Sequence, residues 1–330
     1  MVLHKAEINI VIPQNNNLIR CFKESWHGYC IIKLYVRDVL NGSLIFTYKY
    51  LGEYFMNKLK MALVAALALP SFHVLAEDAP EAKSDFSISY NMGLFSQYIF
   101  RGYTQTHNDP ALQGGMDIEH SSGLYIGAWA SNISWIRDRT DTAYSDGASI
   151  EMDLYFGYAN EIGDTGITYD VGYLRYMYPG DRDQSNMITA NTTELHVGLG
   201  YGWVDGAVHV VTSDDAWTWG KASGAGESAK GTAYYELNAE IPVGDLVGHP
   251  LLNGVTANLH YGYQNFAGPD NNHDSYGDWK LGVDKEFKDG INVGYYFTDT
   301  DVRNANGWWI KTKGEYLGDP AHTFYVTKSF

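Results

Sequence analysis

Glu194 and His196 stand two residues apart in the run TELHVGLGYGW. In a β-strand that spacing puts a carboxylate and an imidazole on one face, where they could act as an acid–base pair or as two ligands of a metal ion. The same period of two recurs elsewhere. Gln97 with Arg101, Glu151 with Asp153, Glu236 with Asn238 and Glu240, and Asp278 with Lys280 and Asp284 each share a face, and Asp170 and His260 take equivalent places in their own runs. Acids outnumber bases in this set, so a wall built from it favours cations and neutral polar solutes and repels anions. Covalent chemistry leaves no comparable signature: after residue 76 the chain has no GxSxG elbow, HExxH, P-loop or cysteine. An ordinary polar role for Glu194 and His196 therefore outranks catalysis, so the expectation is a non-enzyme with no cofactor. His120, His209 and His273 read as solitary. The acid-rich runs RDRTDTAYSDG, PGDRDQSN and GPDNNHDSYGD do not follow the calcium-loop order DxDxDGxxxxxE and read as solvated loops.

An apolar set lies opposite the polar one. From Phe86 the even positions run Phe86, Ile88, Tyr90, Met92, Leu94, Ser96, Tyr98 and Phe100, while the odd ones are mostly small or polar. This predicts a strand over 86–101 with one greasy and one wet face. At about 3.3 Å per residue it suits a bilayer wall, which needs about 9–11 tilted residues. Strands are expected likewise near 111–120, 123–134, 148–159, 166–178, 192–203, 206–214, 232–241, 254–265, 278–287, 291–300 and 321–330. The run at 206–214 alternates least. Gaps after odd-numbered strands are long, whereas those after even-numbered ones are mostly tight, as at Ser121-Ser122 and Lys288-Asp289-Gly290. The stretch 242–253 breaks this rule, and its Pro242 and Pro250 point to an ordered turn or a miscount.

Long loops at one end and tight turns at the other are the plan of an outer-membrane barrel, with the long loops outside the cell. The expected fold class is therefore all-β: a membrane-spanning antiparallel up-and-down β-barrel of about twelve strands. Its apolar faces meet outer-membrane lipid and its polar set lines the lumen. Arg101, a rare base near the outer rim, is expected to pair with Asp117 or Glu119 on the next strand, or with Asp153. Trp308-Trp309, Trp217 and Trp219 are expected at the lipid interface rather than in a sugar site.

Composition agrees. The 330 residues include 26 Tyr and 35 Gly, the usage of aromatic girdles and small lumen residues. A mean hydropathy of −0.28 and the lack of a run of about 20 apolar residues argue against membrane helices. The net charge of −16 argues against nucleic acid as a partner. MNKLKMALVAALALPSFHVLA, residues 56–76, has a basic start, an apolar core and a small-residue cleavage signal, the anatomy of a signal peptide. Residues 1–55 show no clear domain pattern and hold both cysteines, Cys21 and Cys30, so Met56 is expected to be the true start and 1–55 a spurious extension. Residues 77–85 form a short leader, and 86–330 the barrel. Removing the eight basic and four acidic residues of 1–76 moves the net charge from −16 to −20 and leaves no cysteine, which suits passage through an oxidising periplasm.

The order FSQYIFRGYTQTHNDPALQGG, GLYIGAWASNI, IEMDLYFGYA and YDVGYLRYMYPG, followed by DWKLGVDKEF, GYYFTDTD and VTKSF, resembles the bacterial conserved-hypothetical family called Gcw_chp over nearly all of 85–330. That resemblance implies an outer-membrane barrel of a Gram-negative bacterium and no particular reaction. The closing strand, with Phe324, Val326 and Phe330 on one face, resembles the tail read by the barrel-assembly machinery, although Lys328 departs from it. The expected function is a narrow porin-like channel for small cations or neutral polar solutes. The alternatives are a non-conducting structural or surface-binding barrel that uses its long loops and, less favoured, an outer-membrane hydrolase.

Overall fold

Strict alternation along a strand lets one sheet satisfy two solvents, provided the sheet closes so that no edge is left unpaired. The computed structural model shows that closure. It describes residues 5–11, 18–26, 29–38, 42–51, 84–138, 144–182, 189–221, 227–268, 274–302, 311–312 and 315–330. The chain forms two units, Met1–Glu77 and Asp78–Phe330.

The second unit is a closed barrel of twelve antiparallel strands. They are β1 Phe86–Phe95, β2 Ala111–His120, β3 Leu124–Asn132, β4 Ile150–Glu161, β5 Ile167–Met177 and β6 Thr192–Tyr201. The others are β7 Val204–Val211, β8 Ala233–Ile241, β9 Val255–Asn265, β10 Tyr276–Glu286, β11 Ile291–Thr300 and β12 Ala321–Ser329. Each strand pairs with its sequence neighbours, and β12 closes on β1 with Tyr325 opposite Phe95 and Ser329 opposite Asn91. Phe330 continues the seam by exchanging backbone hydrogen bonds with Tyr90. The weakly alternating β7 is a full stave. The 242–253 connection is an ordered turn, a short helix at Val243–Val247 followed by a 3-10 turn at Pro250–Leu252.

The outer face is apolar and open. Phe156 and Leu237 are each 57% exposed, Val197 53% and Phe324 62%, on strands spread round the whole barrel. A soluble protein does not leave so continuous an apolar band in water, so the band identifies the solvent as lipid. Inside, tyrosines lie across glycines on the neighbouring strand: Tyr155 stands opposite Gly127, Tyr125 opposite Gly157 and Tyr325 opposite Gly294. A Cβ on any of these glycines would collide with the facing ring. The Tyr and Gly enrichment is thus partly a packing code for the inner wall.

The first strand differs from its expected extent. It ends at Phe95, and residues 96–110 fold back into the barrel instead of rising from it. A small hairpin, Ile99–Phe100 with Tyr103–Thr104, forms the turned-in part. Arg101 and Gly102 at its tip both have positive φ, 46° and 81°. Glycine is required at 102, because a Cβ there would run into the side chains of Thr300 and Asp278. Tyr98 and Phe100, expected to face lipid, are turned inward instead. The period of two persists past Phe95 because an aromatic cap inside the barrel wants apolar residues as much as lipid does.

The first unit holds one four-stranded antiparallel sheet, Lys5–Val11, Leu18–Trp26, Tyr29–Asp38 and Gly42–Leu51, in sequence order. That is a regular meander where the sequence showed no clear pattern. The expected signal peptide at 56–76 lies outside the described residues, as do His273 and Trp308-Trp309.

Candidate functional site: the barrel lumen

The lumen has two halves. At the long-loop end the loops close over themselves in an aromatic cap. Tyr98, Ile133, Trp135, Ile136, Tyr176, Tyr178 and Leu317 form one buried cluster, and Val211, Trp219, Phe266 and Tyr276 a second. Tyr103 and Trp217 pack against both. Trp217 reaches this place from a tight hairpin in which it and Thr218 both have positive φ. Trp217 and Trp219 are therefore cap residues, which corrects their expected place at the lipid interface.

Arg101 sits under the cap and crosses the lumen to the far wall. Its two terminal nitrogens donate to the two oxygens of Glu194 at 2.8 and 2.9 Å, and Nη1 also donates to Gln264 Oε1 at 3.2 Å. Tyr176 donates its hydroxyl to Glu194 Oε2 at 2.9 Å. The guanidinium lies 4.3 Å from the centre of the Tyr234 ring, 4.8 Å from Phe100 and 5.5 Å from Trp217. Burial works against the charge, but the Glu194 carboxylate outweighs it and holds the arginine pKa above its ordinary value. The expected partners Asp117, Glu119 and Asp153 are thus replaced by Glu194. The cause is the inward fold: once Arg101 leaves the wall, strand register no longer chooses its neighbour.

Gln97 also leaves the wall and donates to His322 O at 3.1 Å. Glu151 and Asp153 face inward on β4 and are buried; Tyr98 donates to Glu151 at 2.8 Å, while Asp153 Oδ1 has no hydrogen-bond partner among the described residues. Burial, reinforced by the charge of Glu151, pushes the Tyr98 phenol well above its usual pKa.

Below the cap the lumen is wet and lined with acids. A cavity of about 630 Å³ is lined by Arg101, Glu236, Glu240, His260, Asp278, Lys280 and Asp284 among others. A second, of about 540 Å³, is lined by Asp170, His196, Asp205, His209 and Glu236. The two share His209 and Glu236. Around the wall runs a belt of histidine–carboxylate pairs: His196 Nε2 with Asp170 at 3.0 Å, His209 Nε2 with Glu236 at 2.8 Å, and His260 Nε2 with Asp278 at 3.1 Å. His260 Nδ1 meets Asn238 Oδ1 at 2.6 Å, and Tyr234 and Tyr125 donate to Asp278 and Asp170. Asn258 donates to Asp284.

Three points go beyond the sequence reading. His209 is not solitary but joins two chambers. Asp205, which accepts from Asn238, carries acid into the lumen alongside Asp117, which accepts from Tyr155. The parity of Asp205 on β7 was the signal that could have found it. Glu194 and His196 share a face yet hydrogen-bond to different partners, Arg101 and Asp170, so they form no acid–base pair. Among the described residues no three His, Cys, Asp or Glu side chains converge as a metal site.

A closed barrel with a lipid-facing band and a polar lumen defines the class: a membrane-spanning β-barrel. The family model described as "Bacterial protein of unknown function (Gcw_chp)" matches residues 79–330, and the chain belongs to that family. No curated protein sequence matches. Among solved structures, the NanC porin is 10% identical, with 74% of this chain and 99% of that chain covered at a TM-score of 0.41. The KdgM porin in complex with disordered oligogalacturonate is 7% identical, with 74% and 97% covered and a TM-score of 0.38. Pseudomonas aeruginosa OccK2 is 11% identical, with 95% and 90% covered and a TM-score of 0.34. These are likenesses of chain path and carry nothing about pore chemistry.

Proposed function

We propose that the protein is an outer-membrane, porin-like channel for small cations and neutral polar solutes. The observation that carries this reading is the pair of adjoining acid-lined cavities inside a closed barrel. Acidic side chains facing water in a low-dielectric tube raise the local concentration of cations and exclude anions. In this reading the inward loop of 96–110, anchored by Arg101 and Glu194, is the constriction. In planar bilayers the purified barrel should conduct KCl, with a reversal potential of cation-preferring sign in a salt gradient. Silence at all voltages, or anion preference, would refute the reading.

The aromatic cap favours a second reading, a barrel closed at rest whose loops serve binding or structure. Deleting 99–104 separates the two: a channel gains conductance, whereas a structural barrel stays silent. Export in this scheme uses the signal peptide at 56–76 with translation from Met56, which a mass measurement of the native N-terminus tests. The final strand, ending on Phe330, would be the segment read by the assembly machinery, and removing Phe330 should slow membrane insertion.

A further inference from the structure

The larger cavity contains two charges that make no direct hydrogen bond or ion pair with its other described residues, although Lys280 lies in the field of Glu236, Asp278 and Glu240. Arg101 is taken by Glu194, His209 by Glu236, His260 by Asp278, and Asp284 by Asn258. Lys280 on β10 and Glu240 on β8 have no hydrogen bond or ion pair with any described side chain, although both line the cavity. The Lys280 ammonium lies over the Tyr296 ring, 5.5 Å from its centre.

Register explains why the two charges do not meet. Glu240 stands opposite Asn258 on β9, Asn258 opposite Gly282 on β10, and Lys280 lies two residues further along that strand. Two strand spacings separate the backbones of β8 and β10 by about 10 Å. The wall thus presents a cationic pole and an anionic pole two strands apart. A simple cation satisfies Glu240 and is repelled by Lys280, and an anion does the reverse. A molecule carrying both charges a few bonds apart satisfies both.

We infer that the cavity beneath Arg101 is a subsite for a small zwitterion of the amino-acid type, whose carboxylate meets Lys280 and whose ammonium meets Glu240. The inference rests on the channel reading and narrows its solute class. Such a solute has no net charge, so it passes an acidic wall that would turn away an acid.

The test uses the full barrel in detergent and three probes of similar size and different charge: L-glutamine, its methyl ester as the cation and N-acetyl-L-glutamine as the anion. Isothermal titration should show L-glutamine binding at least tenfold more tightly than either control. Lys280→Gln should weaken L-glutamine and, by removing the repulsion, strengthen the ester, so that the preference for L-glutamine over the ester is lost. Glu240→Gln should bring L-glutamine down to the level of the acetyl compound. Exchanging the poles in Lys280→Glu/Glu240→Lys should restore part of the affinity, and should one variant fail to fold, the wild-type probe series still decides. Equal binding of all three probes, no binding, or indifference of folded variants overturns the subsite. KCl conductance is measured on the same preparation. A conducting barrel that ignores L-glutamine sinks the subsite alone, whereas binding without conductance supports the subsite and sinks the channel.

Discussion

Inside one barrel, carboxylates are handled in two ways. At the long-loop end Glu194 meets Arg101 with side-chain exposures of 1% and 6%, under a roof of tryptophan and tyrosine. At the short-turn end Asp170 meets His196 with exposures of 40% and 16%, facing water. The first pair is dry, bidentate and shared with aromatic faces, so removing either partner strands a charge in a medium that cannot solvate it. The second is wet, and water takes over whatever a missing partner leaves. The dry half is suited to holding a loop in place, and the wet half to presenting a field to passing solute.

The sharpest way to break this contrast is Arg101→Ala. It leaves Glu194 uncompensated at a cost of about 3–5 kcal/mol. The expected result is a lower unfolding temperature together with a several-fold rise in single-channel conductance as the 96–110 loop loosens. Adding Glu194→Gln should recover much of the stability while conductance stays high. An unchanged conductance would show that Arg101 does not hold the constriction.

Glu236→Gln combined with Asp170→Asn probes the wet half. The reversal potential in a KCl gradient should move towards zero. Stability should fall by about 1 kcal/mol or less per site, since both pairs are partly open to solvent. A loss of stability as large as that for Arg101→Ala would erase the distinction between the halves.

Trp217→Leu removes one aromatic face from the guanidinium. A cation–π contact contributes about 0.5–2 kcal/mol. A small drop in thermal midpoint is expected, with little effect on selectivity. A changed ion preference would place Trp217 in the solute path instead.

Alkali gives the smallest effect near neutrality and a selective one above it. Burial, first of all, raises the phenols of Tyr98 and Tyr103 in the fold. A raised acid contributes stability that is complete below its unfolded value, about pH 10 for tyrosine, and is lost as pH climbs from there towards the folded value. The cap should therefore loosen above about pH 10, read by tryptophan fluorescence from Trp135 and Trp217. Tyr98→Phe should blunt the transition. Arg101, whose pKa is raised, stays charged throughout and does not drive it.

Much of this protein is legible one strand at a time. β4, β6, β8, β10 and β11 alternate cleanly, so their faces and their lumen acids follow from parity alone. The fate of 96–101 was not legible, because a buried aromatic cap and a lipid tail reward the same apolar side chains. His209 looked isolated because its partner Glu236 is 27 residues away on the next stave, a relation that only the β7–β8 register creates.

What the amino-acid order determined by itself is the local part: strand positions, which side of each strand is wet, the loop asymmetry and the family. These rest on a period of two and on turn residues, which act over a few positions. What the tertiary structure decided is which charges stay dry and which meet water. Arg101 and Glu194 are 93 residues apart and meet only because the barrel closes and its first loop turns inward. Lys280 and Glu240 are left apart by the same closure, since a rigid wall sets their separation and neither strand can slide to join them.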